Sequence, residues 1–111
     1  MESRHFMKGE VLFEEGKKDN IALVIKSGEV ILSRNTRSGW SKQVAVIEAG
    51  GIIGEMALID NTTHSVTATA SSDGEALIFT REDYLDRLKR TDKVMSLIIK
   101  SLTMRLRSTY S

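Results

Sequence analysis

The sequence predicts a mainly β fold: a small, jelly-roll-like β-roll of about eight short antiparallel strands, one short helix within it, and two C-terminal α-helices. Three observations carry this expectation. Apolar residues alternate with a period of two through the first two-thirds of the chain. Polar, turn-forming clusters interrupt the alternation at roughly ten-residue spacing, which suits a sandwich or barrel rather than a parallel sheet. Beyond Thr80 the apolar spacing changes to three and four residues, the period of a helix.

The strands follow in order. Val11 and Phe13 alternate across VLFEEG, and Ile21, Leu23 and Ile25 across IALVIK. Val30 and Leu32 do the same in EVILSR, and Val44 and Val46 in KQVAVIE. HSVTATA and EALIFT complete the set, with EGKKDN, KSGE, NTRSG, EAGG, IDNTT and SSDGE as the turns between. At T-R-E-D, Thr80 precedes Glu82 and Asp83, a capping residue ahead of first-turn acids, and a helix through Tyr84, Leu85 and Leu88 is expected. A second helix starts at Thr91 or Asp92. Met95, Ile98, Leu102 and Leu106 form its apolar face, expected to pack on the roll, and Lys93, Lys100, Arg105 and Arg107 its outer face. The whole chain, 1–111, reads as one domain, with the roll at about 6–80 and the C-terminal helices at about 81–107.

Composition excludes several classes. An apolar fraction of 41% with 28% charged residues is that of a globular protein rather than a disordered one. A net charge of +1 gives no global field to recruit nucleic acid or anionic membrane. There is no cysteine, hence no disulfide, thiolate ligand or thiol nucleophile, and His5 and His64 do not form a metal-binding pair. Apolar runs such as IALVI are too short to span a bilayer, and MESRHFMKGE has no signal-peptide core, so a cytoplasmic location is expected. Glu14–Glu15 and Glu82–Asp83 are sequence neighbours pointing to different faces, and no nucleophile–base pair stands out, so an enzyme is not expected.

Chemistry concentrates in IIGEMALIDNTTHSVTA, Ile52 to Ala68. Gly50, Gly51 and Gly54 precede E-M-A-L-I, and a glycine entering a helical turn allows close backbone approach and leaves N–H groups unpaired. Glu55 repels a phosphate but accepts hydrogen bonds from sugar hydroxyls. Together these suit a ligand with a phosphate and a ribose, while a purely structural glycine turn explains the same residues.

Four segments in order resemble the cyclic-nucleotide-binding domain of protein kinase A regulatory subunits, cyclic-nucleotide-gated channels and bacterial catabolite activator-type regulators. They are F-x-x-G-E-V-L-F-E-E-G (Phe6 to Gly16), A-L-V-I-K-S-G-E-V (Ala22 to Val30), A-G-G-I-I-G-E-M-A-L-I (Ala49 to Ile59) and T-R-E-D-Y-L-D-R-L (Thr80 to Leu88). The third resembles the phosphate-binding cassette. The resemblance implies cAMP or cGMP as ligand, no cofactor or metal, and a binding set of Gly54, Glu55, Met56, Ala57, Leu58, His64, Ser65 and Val66. In it Glu55 takes the ribose 2′-hydroxyl, backbone N–H groups around Ala57 and Leu58 face the phosphate, and Gly54 permits the approach. Ser65 falls where some members favour guanine. Ile52, Ile53 and Val66 wall the pocket, and the helix around Leu102 to Leu106 closes over the base.

The chain departs from this pattern at His64, where the family usually has arginine. An imidazole replaces two parallel, permanently charged bonds with one donor, and binding weakens by about 10- to 200-fold. If His64 faces the phosphate, binding tightens at about pH 6 relative to about pH 8; the alternative is an exposed loop histidine. Only five residues precede Phe6, where the family usually begins with helices, so the chain is either a trimmed module or a minimal one. Two functions fit. One is a regulatory module that binds a cyclic nucleotide and signals to an effector through its C-terminal helix. The other is a degenerate domain that binds no nucleotide and serves as a protein-interaction scaffold. Neither needs nucleic acid or membrane insertion, and the last helix either pairs in a homodimer or covers the roll.

Overall fold

The protein, seen as a computed structural model, is described over residues 1–110, with side chains described through Leu106. The expected outer-face position of Arg107 therefore lies outside the described side chains. Eight strands form two four-stranded antiparallel sheets: β1 (Glu2–Phe6), β2 (Val11–Phe13), β3 (Ile21–Ser27), β4 (Val30–Asn35), β5 (Ser41–Ile47), β6 (Ile52–Ile53), β7 (Thr67–Ala70) and β8 (Gly74–Thr80). Strand order is β1-β8-β3-β6 in one sheet and β2-β7-β4-β5 in the other. Three helices complete the fold: α1 (Glu55–Asp60) between β6 and β7, then α2 (Arg81–Lys89) and α3 (Lys93–Tyr110). The expected mainly β roll with a short internal helix and two C-terminal helices is what the chain forms.

The core sits between the sheets. Phe6, Leu12, Phe13, Leu23, Ile25, Val30, Ile53, Ala68, Ala70 and Ala76 form one buried cluster drawn from both. Period-two alternation places these side chains on the inner faces, as with Ala68 and Ala70 of β7, and burial of apolar area is the main stabilising term.

Two pairings place the functional region. Leu23 and Val24 of β3 pair with Ile53 and Ile52, which brings β6 to the sheet edge and aims α1 across the start of β3. Leu32 and Ser33 of β4 pair with Ala68 and Thr67, which sets the residues just before β7 beside β4. The two halves of the Ile52–Ala68 stretch are thus held by different sheets.

At α2, Thr80 accepts from the Asp83 backbone N–H, and the Asp83 side chain accepts from the Thr80 N–H, a full capping box. At α3, Asp92 Oδ1 accepts from the Val94 N–H at 2.7 Å. The expected packing of α3 on the roll through Met95, Ile98, Leu102 and Leu106 is not what forms. All four are exposed, at 44% to 52%. Instead α3 rests on α1, and its less exposed side is Ser96, Ile99 and Thr103. No helix among the described residues is long and apolar enough to cross a membrane.

Candidate functional site

Gly54 makes the turn from β6 into α1. Its φ of +82° is left-handed, and a Cβ there would stand 3.1 Å from both His64 Cε1 and the Ile21 carbonyl oxygen. Glycine satisfies both constraints at once: it adopts positive φ freely and lets three segments meet. Gly54 caps α1 without a side-chain hydrogen bond, and its carbonyl accepts from the Leu58 N–H at 3.2 Å. Of the two backbone donors that the resemblance assigns to the phosphate, the one on Leu58 is thus engaged inside the helix. The side chains of Ala57 and Leu58 are buried, so these residues reach any ligand through backbone alone. At its far end α1 terminates on Asn61, also left-handed at φ +55°.

A cleft with about 540 Å³ of empty space, partly open to solvent, lies between α1 and the β4–β5 side of the roll. Leu32, Val44, Ala45, Ile47, Ile52, Ile53 and Val66 supply its apolar walls, and Glu55, Met56 and Ser65 complete the lining. The structure thereby brings Glu55, Met56, Ser65 and Val66 of the expected set to one cavity. Burial pushes the Glu55 carboxyl above its ordinary value, and a hydrogen bond from its own backbone N–H offsets part of that rise. Among the described residues no lysine or arginine lines the cleft, and no described residue of α3 reaches it, including Leu102 and Leu106.

His64 occupies a different environment. It is 3% exposed, not an exposed loop histidine, and is absent from the cleft lining. Its ring stacks on Phe13, with centroids 3.8 Å apart and planes 12° from parallel. Nε2 lies 2.6 Å from Asp19 Oδ1, an atom that also accepts from the Ile21 N–H. The backbone is pinned as well: the His64 N–H donates to Lys17 and its carbonyl accepts from Gly16. Asp19 and Phe13 are therefore the partners of residue 64, and nothing local in the sequence links them to it.

Arg81, too distant in sequence to assign beforehand, also belongs to this region. Its guanidinium donates to the carbonyls of Leu58 and Ile59, supplying partners and positive charge at the C-terminal end of α1. It thus serves the helix from the end opposite Glu55. Among the described residues no cluster of three or more metal-ligating side chains occurs.

Comparison with known proteins places this geometry. The chain is 33% identical over 104 residues to the cyclic AMP receptor protein of Thermus thermophilus, an alignment covering 94% of this chain and 48% of that protein. It superposes on the cAMP-bound form of the EAL enzyme Bd1971 with a TM-score of 0.88 and 31% identity, over 97% of this chain and 29% of that one. On the catabolite activator protein of Thermus thermophilus the TM-score is 0.83 at 31% identity, over 97% of this chain and 51% of the other. The chain spans about half the length, or less, of these relatives. The family described as the cyclic nucleotide-binding domain matches residues 3–91, at the strands, the Gly54 turn and the cleft just described, and the chain belongs to that family.

Proposed function

We propose that this chain is a non-catalytic regulatory module whose cleft takes a cyclic nucleotide, cAMP or cGMP, more weakly than an arginine-bearing relative does. The observation that carries the reading is the convergence of Glu55 and Ser65 on one apolar cleft beside the left-handed Gly54. In this reading the Glu55 carboxylate accepts the ribose 2′-hydroxyl, and backbone N–H groups near Ala57 approach the phosphate. The apolar walls hold the base. Solved relatives with both cAMP and cGMP bound support either nucleotide. Residues 1–111 act as one domain in the cytoplasm, and an effector reads occupancy through α3. Its exposed Leu97, Ile98 and Leu102 would cover the cleft or pair with a second copy. Any response requires the ligand to favour one arrangement of α3 over another.

A second reading, the degenerate scaffold, is favoured by one specific observation. The residue at the arginine position is turned into the core and held by Phe13 and Asp19. Titration of the chain with cAMP and cGMP, followed by NMR of the Gly54–Ser65 amides, separates the two. Saturable shifts support the sensing module, and unmoved amides at millimolar nucleotide leave the scaffold.

A further inference from the structure

The cleft's polar groups suit a ribose better than a phosphate. We propose that it binds uncharged purine ribonucleosides about as tightly as the corresponding cyclic nucleotides. This rests on the reading of the cleft as a nucleotide site.

Glu55 and Ser65 offer acceptors and a donor for hydroxyl groups, and Leu32, Val44, Ile52 and Val66 offer apolar surface to a base. A neutral nucleoside uses all of these. A cyclic phosphate adds one negative charge, and this chain presents little to meet it. Among the described residues no cation lines the cleft. His64 is sealed away, and an imidazolium there would be matched by the Asp19 carboxylate 2.6 Å from it. Arg81 is committed to the Leu58 and Ile59 carbonyls at the opposite end of α1. The Leu58 N–H is already bonded to Gly54. Glu55 itself stands at the first turn, where it repels an anion.

A charged ligand must leave water to enter an apolar cleft, and without an opposite charge that desolvation is uncompensated. A guanidinium would favour the phosphate form by about 10- to 200-fold, and the present cleft forgoes that advantage. By lacking the phosphate the nucleoside forgoes only the backbone N–H groups near Ala57, and it avoids the uncompensated desolvation of a charge. Glu55, rather than a cation, then becomes the main determinant of ligand choice, selecting a free 2′-hydroxyl.

Calorimetric titration of the full chain with adenosine against cAMP, and guanosine against cGMP, tests this. Each nucleoside is expected to bind within about tenfold of its cyclic counterpart. The 2′-deoxynucleosides should be weaker than either. Glu55→Ala should weaken nucleoside and cyclic nucleotide by the same factor, with circular dichroism confirming that the variant folds. A nucleoside more than about tenfold weaker than a cyclic nucleotide that does bind overturns the inference and leaves the cyclic-nucleotide reading standing. An unequal loss on Glu55→Ala overturns it equally. Failure of all four ligands to bind removes both the inference and the reading beneath it.

Discussion

His64 Nε2 and Asp19 Oδ1 lie 2.6 Å apart, joining positions 45 residues distant in sequence beneath the Phe13 ring. This contact holds the imidazole against Phe13 and Gly54, outside the set of side chains that line the cleft. Asp19→Ala should leave a buried imidazole nitrogen unpaired and destabilise the fold by about 1–3 kcal/mol. Urea denaturation measures this, and an unchanged midpoint would mean the contact contributes nothing.

The same geometry bears on ligand affinity. With His64 outside the cleft lining, cyclic-nucleotide binding should be no tighter at about pH 6 than at about pH 8. Marked tightening at the lower value would place the imidazole on the phosphate. His64→Arg adds reach and a permanent charge, and should strengthen cyclic-nucleotide binding by about 10- to 200-fold while leaving nucleoside binding nearly unchanged. Equal gains for both ligands would contradict this account.

Glu55 gives a pH dependence of the opposite kind. Burial raises its carboxyl in the folded protein above its value in the unfolded chain, so ionisation is easier after unfolding. Its contribution favours the fold below the unfolded value and is lost as pH rises through the folded one. Glu55→Gln should therefore flatten the stability-versus-pH curve across that acidic window. Parallel melting series of the two proteins between acidic and neutral pH give the comparison, and identical curves count against the burial effect. Ligand binding runs the other way. A hydroxyl donates best to the ionised carboxylate, so affinity should fall as pH drops through the raised value.

Arg81→Ala should release the carbonyls of Leu58 and Ile59 and fray the C-terminal end of α1. Hydrogen exchange of the amides at the end of α1 should accelerate, with a loss of stability of about 1–3 kcal/mol. Protection equal to that of the unaltered chain would show the guanidinium to be incidental.

Most of the roll was legible because its inner residues obey a period of two, as Leu23 and Ile25 or Ala68 and Ala70 do. β1 was missed because ESRHF is polar at four of its five positions and becomes a strand through pairing with β8. β6 has only two residues, too few for any period to appear. In α3 the three- and four-residue spacing gave the helix, but not its inward side. Periodicity finds an apolar stripe without saying what covers it, and here Ser96, Ile99 and Thr103 face inward instead. At the cleft, Gly54 and Glu55 stood out through local chemistry. The setting of His64 did not, because Asp19 and Phe13 reach it only through the sheet topology.

The hydrogen bonds from Arg81 to Leu58 and Ile59 make a mechanical joint between two helices. While the guanidinium holds both carbonyls, a shift of α1 toward a ligand cannot be absorbed at its C-terminal end. It is met at the first turn of α2, where Arg81 stands and which the capping box stiffens. The two helices are therefore coupled end to end, and neither the C-terminal end of α1 nor the first turn of α2 can shift without straining the other.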